Sequence, residues 1–154
     1  MKILQVITSL QTGGAETLVC QMIPRFRAMG HQVDLCLFNG METPLLAQLR
    51  KHGDVKVHVL GHSYYNPWYV VKLARIMRGY DVIHTHNSSP QLFVAIANLV
   101  NHKRIVTTEH NTHNRKRDMP LFSLIDKWMY RQYDSIICIS GIAETKLRTY
   151  LRLT

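Results

Sequence analysis

Apolar runs of strand length alternate with helix-length amphipathic segments along the whole chain, and this alternation constrains the fold more than any other feature. Lys2 to Thr8 carries Ile3, Leu4, Val6 and Ile7, the near-continuous apolar pattern of a parallel strand covered on both faces. A loop from Ser9 ends in Gly13 and Gly14, and Ala15 to Met29 then reads as a helix with Leu18, Val19, Met22, Ile23 and Phe26 on one face. Pro24 inside it should bend the axis or remove a hydrogen bond. Further strands are predicted at His31 to Phe38, Val55 to Val59, Asp81 to His84, Arg104 to Thr108 and Asp134 to Ser140. The third alternates valines with Lys56 and His58, which suits an exposed edge. The intervening helices run from Thr43 (the cap, with Pro44 first in the helix) to His52, from Pro67 (capped by Asn66) to Arg78, to Val100, from Pro120 with Leu121, Leu124, Ile125, Trp128 and Met129 on one stripe, and from Gly141 to Leu151. Such a chain predicts a Rossmann-like α/β fold. Its sheet is doubly wound, mostly parallel and six- to seven-stranded, with helices on both faces and order 3-2-1-4-5-6.

The first turn has chemical meaning. Strand, glycines and helix in succession place bare backbone N–H groups and the positive end of a helix dipole at the carboxyl end of a central strand, a natural anion site. Glycine there permits positive φ and lets a ligand approach the backbone. The loop lacks GxGxxG, and no Lys-Ser or Lys-Thr follows the glycines, so neither the dinucleotide fingerprint nor the P-loop applies. A tight turn with no ligand remains the alternative.

The 154 residues suffice for one domain with a full core. No apolar stretch reaches the roughly 18 to 20 residues needed to span a bilayer, and the N-terminus does not read as a signal peptide because Gln5, Thr8 and Ser9 interrupt its apolar run. Three scattered cysteines, Cys20, Cys36 and Cys138, read as free thiols in a reducing, cytoplasmic setting. A formal charge of +9 calls for an anionic partner: nucleic acid, a membrane surface or a phosphorylated substrate. No signature of a nucleic-acid module is present, so nucleic acid is not the expected partner.

In the predicted topology the first and fourth strands lie together where the winding reverses, and ligands of such sheets bind outside the carboxyl ends there. That brings Gly13 and Gly14 toward His86, Glu109 and His110. Three readings compete for the histidines. His84 and His86 share a strand face and could bind a metal with His110 and His113, although no cysteine supports them. They could satisfy structural hydrogen bonds instead. In the favoured reading they bond ligand hydroxyls or phosphate and move protons near neutral pH. Glu109 could serve as a base or hydroxyl acceptor, or could offset its basic neighbours. Ser140 reads as the cap of the last helix.

The segments TSLQTGGAET (8–17), GHQVDL (30–35), DVIHTHN (81–87), IVTTEHNTH (105–113) and DSIICISGIAE (134–144) together resemble the N-terminal half of family 4 glycosyltransferases, which have the GT-B fold. The resemblance covers essentially the whole chain. It implies a two-domain enzyme that transfers a sugar with retention from a nucleotide-sugar co-substrate (a UDP- or GDP-sugar) to a glycan or lipid-linked acceptor, without metal or other cofactor. It carries Gly13, Gly14 and Glu16 onto the loop facing donor phosphate and sugar. His86, with Asn87 beside it, falls on the acceptor or sugar site, and His110 on the catalytic position near the reacting sugar. Glu109 is a further catalytic candidate whose place in the family pattern is unassigned. Residues 1–154 are then a single acceptor-side domain, without the C-terminal donor-binding domain, and inactive alone. The alternative is a non-catalytic module for nucleotide, phosphate or a membrane surface. Arg115, Lys116 and Arg117, near Trp128, are candidates for contact with an anionic membrane face or a charged acceptor, or form a solvated basic loop.

Overall fold

A computed structural model describes residues 1–111 and 115–153. The strands are β1 (Lys2–Ile7), β2 (Gln32–Asn39), β3 (Val57–Gly61), β4 (Val82–His86), β5 (Arg104–Glu109) and β6 (Ser135–Cys138). The helices are α1 (Gly14–Ala28), α2 (Pro44–Arg50), α3 (Tyr69–Met77), α4 (Ser88–Asn101), α5 (Pro120–Arg131) and α6 (Gly141–Leu151), with a 3-10 turn at Arg115–Asp118. All six strands are parallel in the order β3-β2-β1-β4-β5-β6, so the expected doubly wound, Rossmann-like sheet is what forms. Helices cover both faces of the sheet.

Period-two alternation divides strands β1 to β4 between two cores. Leu4, Val6, Ile83 and Ile105 join Leu73 of α3, Val94 of α4, Met129 of α5 and Leu147 of α6. Ile3, Ile7, Val33 and Leu35 face the other way, onto Val19 and Ile23 of α1 and Leu46 and Leu49 of α2. Gln5, between Leu4 and Val6, therefore falls on the α1 face although it is fully buried. The sheet's register sets it beside His84, and sets His86 beside Thr108.

Local signals explain most boundaries. Thr43 Oγ1 accepts from Leu46 N at 3.2 Å, and Ser140 Oγ accepts from Ala143 N at 3.1 Å, as their cap positions suggest. Pro24 sits within α1, which continues to Ala28. Helix α3 starts later than Pro67, because Asn66 Oδ1 accepts from Trp68 N and holds a turn there. Of the α5 stripe only Met129 enters the core; Leu121 and Leu124 are each 68% exposed, and Phe122, Ile125 and Trp128 are open to solvent beside them.

Candidate functional site

The carboxyl ends of β1, β4 and β5 converge on a cleft of about 490 Å³ lined by Gly14, Ala15, Glu16, Leu18, Asn87, His110, Asn111 and Ile139. Two helices begin at it. Neither Gly13 at the start of α1 nor Asn87 at the start of α4 supplies a side-chain cap bond, so no cap side chain occupies the first N–H groups of either helix. Gly14 has no heavy atom within 4 Å of where a Cβ would stand, so its backbone is open to approach. The glycines do not serve here by adopting positive φ: Gly13 is extended at φ −178°, and Gly14 has no positive φ either. The missing side chain is what matters. At Gly13 a Cβ would meet the Glu16 carboxylate, which folds back over the turn.

Asn87 does hold a left-handed φ of 71° with ψ 158°, a region otherwise occupied almost only by glycine. Its Nδ2 donates to Thr8 Oγ1 at 3.0 Å, tying the β4–α4 turn to the end of β1. Strain of this kind persists where surrounding structure imposes it, and it lies here on the cleft wall.

Behind the cleft stands a group of imidazoles. His86 Nε2 is 2.8 Å from Gln5 Oε1, and His86 Nδ1 is 3.1 Å from His110 Nε2. His84 packs against His86 with ring centroids 4.3 Å apart, and its Nε2 lies 2.7 Å from Thr108 Oγ1. Burial, then the neighbouring His110, pushes the His84 pKa down to about 4. Burial, then His84 and His110, pushes His86 down to about 2. His110 is only half-buried; burial lowers its pKa while Glu109 and Glu16 draw it back up.

Three expected site residues take different parts from those expected. His86 is the last residue of β4, not a loop residue beyond it, and is 0% exposed, so it cannot touch a ligand directly. Glu109 points to the α5 face of the sheet. Its Oε1 accepts from Asn111 N at 3.2 Å, its Oε2 accepts from the Tyr130 hydroxyl, and Arg117 lies 3.6 Å away. The carboxylate is thus enclosed by donors and does not line the cleft. Arg117 is correspondingly turned inward, its side chain 9% exposed and its guanidinium 4.8 Å from the centre of the Tyr150 ring, so it is not a surface cation for a membrane. The side chains of Arg115 and Lys116 lie outside the described residues, as does His113. Among the described residues no group of three or more His, Cys, Asp and Glu is placed to hold a metal.

Sequence reasoning did not single out Gln5. Its signal was nonetheless present: a polar side chain in the middle of a strand expected to be buried on both faces must find a partner. Another hollow, of about 420 Å³, follows edge strand β6 and α6 between Ser135, Cys138, Leu147 and Arg148, away from this constellation.

By sequence, residues 12–154 match the profile of Glycosyltransferase Family 4. No curated protein matches the chain by sequence. Among solved structures, Anabaena Alr3699/HepE in complex with UDP superposes with a TM-score of 0.79 at 20% identity, over 100% of this chain and 43% of that one. The same protein has been crystallised with UDP-glucose. A glycosyltransferase from Rickettsia africae ESF-5 gives 0.75 at 16% identity over 99% of this chain and 40% of that one. The lipopolysaccharide outer core galactosyltransferase WaaB gives 0.68 at 14% over 97% and 42%. At such identities the likeness establishes the fold, and the chain spans less than half the length of each of these structures.

Proposed function

The chain belongs to glycosyltransferase family 4, and on that premise we propose that it is the acceptor-side half of a retaining enzyme that moves a sugar from a UDP- or GDP-sugar to a glycan or lipid-linked acceptor. The reaction serves cell-surface polysaccharide or glycolipid synthesis. One observation carries the reading: the uncapped start of α1, the strained Asn87 and the half-buried His110 share one open cleft at the switch point of the sheet. Backbone N–H groups of Gly14 to Glu16 suit donor phosphate oxygens, while His110 and Asn87 suit hydroxyls of the sugar or acceptor. No helix among the described residues is long and apolar enough to cross a membrane. The enzyme works in the cytoplasm at the inner membrane face, where the exposed apolar side chains of α5 meet lipid.

On this reading the donor-binding half belongs to a second domain, and residues 1–154 assayed by themselves are expected to show no turnover. The test is transfer from a panel of UDP- and GDP-sugars by a protein that carries this domain together with a second one, with His110→Ala and Gly14→Val variants. Loss of transfer in both variants is expected. Unchanged transfer in both, or robust turnover by the 154-residue chain, would refute the assignment. For the membrane face, failure to sediment with either neutral or anionic vesicles removes the lipid contact.

A further inference from the structure

Gln5, His86 and His110 form one line from the interior of the sheet to the cleft. An imidazole–imidazole hydrogen bond holds a single proton, so one ring donates and the other accepts, and the two cannot both be cationic. At the inner end, the Gln5 amide oxygen is solely an acceptor, and at 2.8 Å it takes the proton of His86 Nε2. Turned this way, the Gln5 amide leaves its nitrogen without a partner among the described residues, and the contact with His86 is the bond its oxygen makes. Neutral His86 then carries its lone pair on Nδ1. The 3.1 Å contact is filled only by an N–H on His110 Nε2. The second nitrogen of His110, Nδ1, is left as a lone pair for the cleft that His110 lines.

The outer end favours the same arrangement. The positive end of the α1 dipole opens on that cleft, where a lone pair is better placed than an N–H. The inner end is held rigidly, because His84 packs on the His86 ring and is itself bonded to Thr108. Among the described residues, the titratable groups around His110 are His84 and His86 from β4, Glu109 from β5 and Glu16 from α1.

We propose that Gln5 and His86 are positioning residues for His110, fixing it as a neutral Nε2–H imidazole whose Nδ1 lone pair accepts a hydrogen bond from a hydroxyl in the cleft. The hydroxyl rests on the sugar-transfer reading; the tautomer does not. The arrangement divides the cleft chemically. A phosphate oxygen, being an acceptor, is turned away from His110 and toward the N–H groups of α1, while a sugar or acceptor hydroxyl is turned toward His110.

Long-range ¹H–¹⁵N NMR of the histidine side chains in this chain reads the tautomers directly, with no ligand added. Both His86 and His110 are expected as Nε2–H forms at neutral pH, with His110 taking up a proton before His86 as the pH is lowered. Gln5→Met removes the acceptor, and His110 should become a mixture of tautomers with converging ¹⁵N shifts under an otherwise preserved backbone spectrum. If Gln5→Met does not fold, the ¹⁵N shifts of His86 and His110 in the native chain decide the matter alone. A Nδ1–H form of His110 in the native chain overturns the proposal. So does a Gln5→Met spectrum identical to native. Native tautomers in a protein that transfers no sugar would remove the functional reading and leave the positioning pair standing. The opposite tautomer in an active enzyme would do the reverse.

Discussion

Lowering the pH from 8 to 5 should destabilise the folded chain by about 4 kcal/mol through His84 and His86. In the folded state burial holds their pKa values at about 4 and about 2, with the neighbouring imidazoles adding to the effect. In the unfolded chain both titrate near the ordinary value of about 6.5. Between those limits the unfolded state binds protons that the native state refuses. Stability therefore rises with pH and is lost as the pH falls below about 6.5, the loss from His84 levelling off near its folded value. In the steep range each ring contributes about 1.4 kcal/mol per pH unit, and at pH 5 each has cost about 2 kcal/mol. His58 on β3, also lowered by burial, acts in the same direction. Urea unfolding followed by circular dichroism at pH 8, 6.5 and 5 measures the effect. With a slope of about 2 kcal/mol/M the midpoint should fall by roughly 2 M. His84→Gln, which can keep the bond to Thr108, should remove about half of the pH dependence. A midpoint that barely moves between pH 8 and 5, or an unchanged pH dependence in His84→Gln, would show that these rings are not held neutral by burial.

Glu109→Gln should lower stability by about 3 kcal/mol, a fall of roughly 6–12 °C in Tm, because the new amide N–H must face donors from Asn111, Tyr130 or Arg117. An unchanged Tm with lost transfer would return Glu109 to the list of catalytic residues. Asn87→Gly should be more stable than Asn87→Ala by about 1–3 kcal/mol in chemical denaturation, since glycine accepts φ 71° without strain; equal stabilities would mean the turn relaxes. Gly61→Ala should cost about 1–3 kcal/mol, because the added Cβ overlaps the hydroxyl of buried Tyr69, which accepts from Ser63 N at 3.0 Å; an unaltered denaturation midpoint would contradict that packing.

The strand order was legible because it depends on a property each segment declares alone. Apolar runs of strand length and helical spacing alternate, and handed crossovers leave few ways to wind them. The caps at Thr43 and Ser140 were legible for the same reason, since a cap acts within three residues of itself. Residues whose partners are distant in sequence were harder to read. Glu109 and Arg117 look like loop charges until the alternation of β5 turns the carboxylate toward α5, where Tyr130 and Arg117 meet it. Similarly, the α5 stripe has helical spacing, but periodicity cannot say whether a neighbour covers it, and only Met129 among those expected residues is buried.

The histidines show how far a single position matters. The β4 ladder runs on to pair His86 with Thr108, one bond that no local signal encodes. A histidine at that last paired position stays on the α1 face of the sheet, reaches Gln5 on β1 and is sealed from solvent. Asn87, one residue further, must leave the strand with a left-handed φ to start α4, and it therefore reaches the cleft. His110 stands in the same relation to the end of β5. The strand ends thus sort the polar residues: those inside the ladder tune and hold, and those one step beyond it face whatever the cleft binds.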